Sequence, residues 1–282
     1  MKIEKIKKVG DSKYQLILQN KDVITTYDDV MIKYHLLYRK EIDENILESL
    51  LKETKISDIY YKSVKKLTTK MMSKKSYKHW LEQFQLSKQN EENLICKLEN
   101  VGLLNDLYYA KAYASDKARL SKDGIGKIEN DLKEEGISYG MIKDALTVID
   151  LEEMNQKLKK MLVKKIEQNH HYSNQHLKQK IISEFLKLGF SYEEIHSALQ
   201  EVKWMTETEI LQKEFMKTLL KAKKKYQGKE LLYQVKNKLY QKGFSIEEIN
   251  ECLEKKINNE YFVVYFNFSY ISSKAIGSCF SL

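Results

Sequence analysis

Proline is absent from the 282 residues, and glycine occurs only ten times. Sandwiches and loop-rich enzymes use both at their turns, so the shortage points to helices joined by short connections. Cysteine is limited to Cys96, Cys252 and Cys279, widely spaced and without a CxxC pair. Neither a disulfide framework nor a zinc-finger spacing is present. The opening MKIEKIKKVG is charged throughout and lacks the apolar core of a signal peptide. The expectation is a reduced, cytoplasmic protein. Arginine is nearly missing as well: only Arg39 and Arg119 accompany the lysines in a chain of formal charge +9. Lysine offers point charges, whereas arginine offers the planar fork that reads guanine edges and clamps phosphates. Such a chain can favour polyanions without reading their sequence.

Recognisable catalytic motifs are missing too. There is no GxxxxGK[ST], GxGxxG, GxSxG or HExxH. DGIGK at 123–127 resembles a phosphate cradle, but no hydrophobic strand precedes it. The histidine cluster NHHYSNQH, with His170, His171 and His176, crosses a predicted helix junction without a Cys or carboxylate at ligand spacing. It reads as a solvated loop. The pairs Glu152–Glu153, Glu193–Glu194 and Glu247–Glu248 fall in first helical turns, where carboxylates favour the helix dipole. No enzyme, cofactor or metal is expected.

What is present is a repeated phrase. LGFSYEEI places Gly189 where a helix can end in the left-handed conformation, and Ser191 with Glu194 where a capping box can start the next helix. Phe190 and Ile195 are the two halves of a hydrophobic staple. KGFSIEEI repeats the device with Gly243, Phe244, Ser245, Glu248 and Ile249. A third copy, EGISYGMI, supplies Gly136, Ile137, Ser138 and Ile142, with Met141 in place of the box glutamate. Gly136 to Gly189 is 53 residues and Gly189 to Gly243 is 54, an internal repeat.

Each repeat resolves into three helices. They are predicted over 106–121, 125–135 and 139–149, then 152–168, 174–188 and 192–203, and finally 207–226, 229–242 and 246–257. A diverged first unit occupies 57–103, its third helix NEENLICKLENVG starting at Asn90. Residues 1–27 read as β, with KYQLILQ and VITTY joined at a turn, NKD. Helical patterns near 29–38 and 44–54 follow, started by Asp28 and Asp43. The expected class is mainly α: an N-terminal β-rich α+β extension (1–56), then four three-helix repeats in an elongated curved array. The repeats are 57–104, 105–150, 151–204 and 205–257. The aromatic tail, 258–282, is too short in its apolar run to span a bilayer. It is an added strand, a partner-binding tail or an end with no packed role.

The remaining signal is surface charge. Between 151 and 229, sixteen lysines face ten glutamates, with no arginine or aspartate, a net of +6. The runs KLKKMLVKK and KAKKKYQGK lie on or after the first helix of a unit, as do Lys65, Lys66 and Lys70. A charge run is ordinarily a solvated face. Recurrence at equivalent places in a tandem array would instead make a stripe suited to a filamentous polyanion. The candidate contacts are Lys74 and Lys75, Arg119 and Lys122, Lys159, Lys160, Lys164 and Lys165, and Lys221, Lys223, Lys224 and Lys225. Tyr109 and Tyr113 either support the central unit's contact or belong to its core.

The stretch GLLNDLYYAKAYASDKARLSKDGIGKIENDLKEEGISYGMIKDAL (102–146) resembles the hallmark segment of the RecX family of recombination regulators. LKLGFSYEEIHSAL and LYQKGFSIEEINECL resemble the family's C-terminal repeats, and the β-rich start resembles its longer form in low-GC Gram-positive bacteria. The resemblance covers residues 2–257. It implies an elongated, non-enzymatic modulator that binds RecA filaments on single-stranded DNA. Suppression of ATP hydrolysis, strand exchange and coprotease activity would follow, with a place in DNA repair, recombination and SOS control. The implied partners are the RecA filament and single-stranded DNA, directly or through RecA; no membrane is implied, and the chain is expected to act as a monomer. MMSKKSYKHWL departs from the family's Arg-x-Arg-Ser signature, of which Lys74, Lys75 and Ser76 survive in kind. A stand-alone, non-specific nucleic-acid-binding module and a plain helical scaffold are the rival readings.

Overall fold

The computed structural model describes residues 1–257, so the expectation for the aromatic tail, 258–282, lies outside the described residues. Three antiparallel strands open the chain: β1 (Ile3–Lys8), β2 (Lys13–Leu18) and β3 (Val23–Tyr27), ordered β1-β2-β3. Lys21, at φ 68°, turns β2 into β3 within the predicted NKD. The helices follow: α1 (Asp28–Lys33), α2 (Glu44–Thr69), α3 (Lys74–Leu81), α4 (Lys88–Asn100), α5 (Asp106–Leu120), α6 (Ile125–Glu134) and α7 (Tyr139–Leu146). Then come α8 (Leu151–Glu167), α9 (Asn174–Lys187), α10 (Tyr192–Glu201), α11 (Glu207–Ala222), α12 (Gly228–Tyr240) and α13 (Ile246–Ile257). A 3-10 turn, Glu82–Phe84, links α3 to α4. The mainly helical class with a small N-terminal sheet is what the sequence implies.

Several boundaries differ from the sequence expectation. Asp43 caps α2, its carboxylate accepting the Ile46 N–H, but the helix runs to Thr69 rather than ending at 54. No proline or glycine interrupts that stretch, and one face buries Leu50, Ser57, Ile59, Ser63 and Leu67. The cap of α1 is Tyr27, with Asp28 in the first turn. The cap of α4 is Ser87, whose hydroxyl accepts the Asn90 N–H, so Asn90 is a first-turn residue. Helix α11 stops at Ala222, which leaves Lys223, Lys224 and Lys225 beyond its last turn.

The described residues form two compact units: Met1–Asp116 with Glu129–Val148, and Lys117–Ile128 with the residues from Ile149 onward. In the first, the sheet closes over α1 and the start of α2 around Leu16, Val30, Met31, Leu36, Ile42 and Leu50. A second core joins the later part of α2 to α3 and α4 through Ile59, Leu67, Tyr77, Leu81, Leu94 and Leu98. In the other unit, α11, α12 and α13 pack around Phe215, Val235, Leu239, Phe244 and Ile249, all but inaccessible. Helices α8, α9 and α10 bury Leu158 and Leu162, Ile181 and Phe185, and Ile195 and Leu199.

The repeated phrase makes the joint expected of it. Gly136, Gly189 and Gly243 take φ of 78°, 88° and 89°. Ser191 and Glu194 form the reciprocal capping box, and Ser245 with Glu248 does the same. Ser138 makes no side-chain cap bond. The structure adds a second duty. The joint between α9 and α10 docks on the start of α6: Gly124 N–H donates to the Leu188 carbonyl at 2.7 Å, and Gly126 N–H to the Gly189 carbonyl at 2.9 Å. A methyl group on Gly189 would lie 2.1 Å from the Lys127 nitrogen. Likewise the joint between α12 and α13 docks on the start of α9, where Ser173 N–H donates to the Lys242 carbonyl at 3.0 Å. The joint between α6 and α7 meets the start of α3: the Glu135 carboxylate accepts both the Ser73 and Ser76 hydroxyls. Three times, then, a helix-ending turn seats on the first turn of an earlier helix.

Candidate partner and nucleic-acid interface

The candidate basic residues sort by what their amines touch. Lys74, in the first turn of α3, pairs with Glu99, and its backbone N–H donates to Asp106 at 2.7 Å. Lys75 donates to the Glu134 carbonyl at 2.6 Å and lays its stem against Gly136. Lys75 therefore braces the joint between α6 and α7, while Lys74 ties the start of α3 to α4 and to the first turn of α5. On α8, Lys159 pairs with Glu201 at 2.6 Å, and Lys165 with Glu184 at 2.6 Å. Lys160 and Lys164, one turn apart on that helix, are exposed and make no ion pair among the described residues. Arg119, Lys122, Lys221, Lys224 and Lys225 are exposed without an ion pair in the same sense, and Lys223 is exposed beside them.

The recurrence of basic runs has a local cause. Helices α2, α5, α8 and α11 carry Lys66, Lys117 with Arg119, Lys164 with Lys165, and Lys221 in their last turns. Cations there offset the partial negative charge of unsatisfied carbonyls, a contribution of about 0.3–1 kcal/mol each. Equivalent placement thus follows from helix polarity, while the unpaired amines stay available to an external anion. Lys74 and Lys75 belong to one compact unit and the other candidates to the second.

The tyrosines serve the packing. Tyr109 and Tyr113 stack at 5.9 Å, and the Tyr113 hydroxyl donates to Asp131 at 2.8 Å. Burial first, then the nearby carboxylates, pushes the Tyr109 phenol up to about 12. In the histidine cluster, the Tyr172 ring lies between those of His171 and His176, at 4.3 and 5.3 Å, with the Lys180 amine 3.5 Å from its centre. Burial depresses the His171 pKa, opposed by Glu214. The glycines of DGIGK are explained by the close backbone approach of Gly189. Among the described residues no group of three or more His, Cys, Asp or Glu could hold a metal, and no helix is long and apolar enough to cross a membrane.

Sequence reasoning missed several engaged lysines. Lys157 reaches across to the Ala118 and Asp123 carbonyls at 2.8 and 2.9 Å, closing the turn before α6. Burial lowers its pKa, against the pull of Asp123. The Lys97 amine sits 3.8 Å from the centre of the Tyr60 ring, and that of Lys66 5.3 Å from the centre of Trp80. These partners are distant in sequence or on different helices, so no local spacing announced them.

No family model matches the chain. Curated relatives do. A protein of Oceanobacillus iheyensis named Regulatory protein RecX is 25% identical over 258 residues, 88% of this chain and 95% of that one. Proteins of the same name from Bacillus pumilus and Bacillus subtilis are 28% and 23% identical, each across 88% of this chain and at least 95% of theirs. A crystal structure of regulatory protein RecX superposes with a TM-score of 0.63 at 23% identity, covering 71% of this chain and 99% of the other. At that identity the superposition speaks for the fold.

Proposed function

We propose that this chain, which belongs to the RecX family of regulatory proteins, binds the RecA filament on single-stranded DNA and damps its ATP turnover, strand exchange and coprotease activity. It would act as a cytoplasmic monomer in DNA repair and SOS control. On this reading residues 57–104, 105–150, 151–204 and 205–257 are four three-helix units behind the N-terminal extension, the first of them entered through α2. The observation that carries the reading is the set of exposed amines without an internal ion pair, Lys160, Lys164, Lys221, Lys224 and Lys225, in one compact unit with Arg119 and Lys122. Such amines suit acidic protein surface or DNA phosphates, and the near absence of arginine suits a contact indifferent to base sequence.

The test adds the purified protein to RecA on single-stranded DNA and follows ATP hydrolysis. Inhibition at micromolar protein is expected, weakened at least tenfold by Lys160→Glu with Lys164→Glu, since charge reversal at a contact opposes the whole field. Lys88→Glu, at an exposed position outside the candidate set, serves as the control. Unchanged turnover with the unmodified protein refutes the proposal. Tight binding to bare DNA that collapses between low and high salt, with no effect on RecA, would favour the stand-alone nucleic-acid-binding reading instead.

A further inference from the structure

The N-terminal sheet has an edge that nothing among the described residues occupies. In the β2–β3 ladder Asp28 N–H donates to Ser12 and Leu18 N–H to Asp22, so the residues of β3 that face β2 are Ile24 and Thr26. Val23 and Thr25 turn their backbone groups outward, as does the N–H of the largely buried Tyr27, and no backbone hydrogen bond among the described residues ends on the Thr25 N–H, the Thr25 carbonyl or the Tyr27 N–H. Soluble proteins usually blunt or cover such an edge, because a row of free donors and acceptors is a template for another strand.

Thr25 and Tyr27 form one wall of an open groove of about 730 Å³. Its floor is the face of α2 bearing Lys52, Lys55, Ile56 and Ile59; its far wall is Phe84, Gln85, Leu86, Ser87 and Asn90, the last two at the N-terminal turn of α4. The charge is one-sided. Lys13, Lys52 and Lys55 line it, and the one carboxylate among the lining residues, Asp58, is taken up by the Tyr27 hydroxyl and by Lys62 at 2.7 Å. Lys55 makes no ion pair among the described residues, and the exposed Lys52–Glu48 pair is of the kind that contributes little and exchanges readily. The helix N-terminus adds a further bias toward negative charge.

From this juxtaposition we propose that the groove binds an extended acidic peptide segment of a partner protein, which adds to the sheet as a strand beside β3. Backbone pairing to Thr25 and Tyr27 supplies affinity, apolar side chains on the α2 side meet Ile56 and Ile59, and acidic ones reach the flanking Lys13, Lys52 and Lys55. The rings at the groove favour peptide over nucleic acid. Tyr27 is stacked on Tyr61 at 4.6 Å with the Lys13 amine 5.2 Å from its centre, and Phe84 meets Trp80 edge-to-face at 5.0 Å with Lys62 over the ring, so both rings are already engaged within the chain. This site is separate from the lysines of the proposed filament contact and does not depend on that reading.

The probe is a fluorescein-labelled octapeptide alternating glutamate with valine and threonine, added to the full chain and followed by anisotropy. Binding in the micromolar range is expected, together with slowed hydrogen exchange at the Thr25 and Tyr27 amides. Lys52→Glu with Lys55→Glu, both exposed positions on α2, should weaken it about tenfold. The same peptide N-methylated at alternate amides, which keeps its charge but cannot pair, should lose binding. Equal binding of the methylated peptide, unchanged exchange at those two amides, or displacement of the peptide by oligo-dT with protection of the same groove would each overturn the proposal.

Discussion

The joint around Gly189 invites a perturbation whose size follows from the structure. In Gly189→Ala the backbone must hold a side chain at φ 88°, which costs about 1–2 kcal/mol for a residue other than glycine. The new methyl would also lie 2.1 Å from the Lys127 nitrogen and 2.6 Å from its Cβ, so the turn cannot stay seated on the start of α6. Unseating it gives up the bonds from Gly124 and Gly126 N–H to Leu188 and Gly189, each a net contribution of about 0.5–1.5 kcal/mol. A loss of about 3–4 kcal/mol is therefore expected. Gly102→Ala is the internal comparison: its φ is 75°, but a methyl there meets nothing within 4 Å, so only the conformational cost of about 1–2 kcal/mol applies. Urea denaturation of both variants measures the gap, and hydrogen exchange at the Gly124 and Gly126 amides locates it. Equal destabilisation of the two, or unchanged protection of those amides in Gly189→Ala, would refute the docking argument.

Other consequences follow from the same geometry. Ser191→Ala should cost about 1 kcal/mol through loss of its capping box, whereas Ser138→Ala, where no side-chain cap bond exists, should cost only a few tenths; thermal unfolding compares them. Glu214 is buried against Lys242, which is itself largely covered, and near Lys217, so Glu214→Ala should destabilise by about 2–3 kcal/mol in urea. Burial opposes the charge on Glu135, but the Ser73 and Ser76 hydroxyls and then Lys75 and Lys70 outweigh it and hold the pKa below the ordinary carboxylate value. Its stabilisation is complete above that ordinary value and is lost as pH falls through the depressed one, so Glu135→Gln should flatten the decline in stability on the acid side of the ordinary carboxylate value.

The punctuation of the fold was legible because it is local. The left-handed glycine, the cap three residues before its glutamate and the staple all lie within seven residues; the structure forms the glycine turn and the box at 189–195 and 243–249 and buries Phe190, Ile195, Phe244 and Ile249. What lay hidden was the surface on which each joint sits. Gly124 and Gly126 looked like a degraded phosphate loop, since a sequence reports that a backbone must be bare but not what approaches it. Helix α2 was cut short for a related reason: its apolar positions serve the sheet over its first turns and α4 over its last, so the pattern changes partner while the helix continues. The candidate lysines were the least legible. Whether an amine pairs internally depends on glutamates on other helices, as with Lys159 and Glu201 or Lys165 and Glu184.

That dependence reshapes the case for a charged contact. A run such as KLKKMLVKK holds five lysines, yet Lys157, Lys159 and Lys165 each have a partner inside the chain. Lys160 and Lys164 remain, one turn apart on one face of α8. An external anion must therefore be met by few charges per helix, each contributing modestly and each screened by salt. Weak contacts of that kind gain strength chiefly by repetition against a repeating partner, where binding at one unit raises the effective concentration at the next. A tandem array facing a filament satisfies that condition, whereas a single globular acidic partner would not. If the proposed filament contact holds, reversing charge on α8 alone should weaken binding to a long filament more than binding to an isolated filament subunit, since only the former loses the linkage between successive contacts.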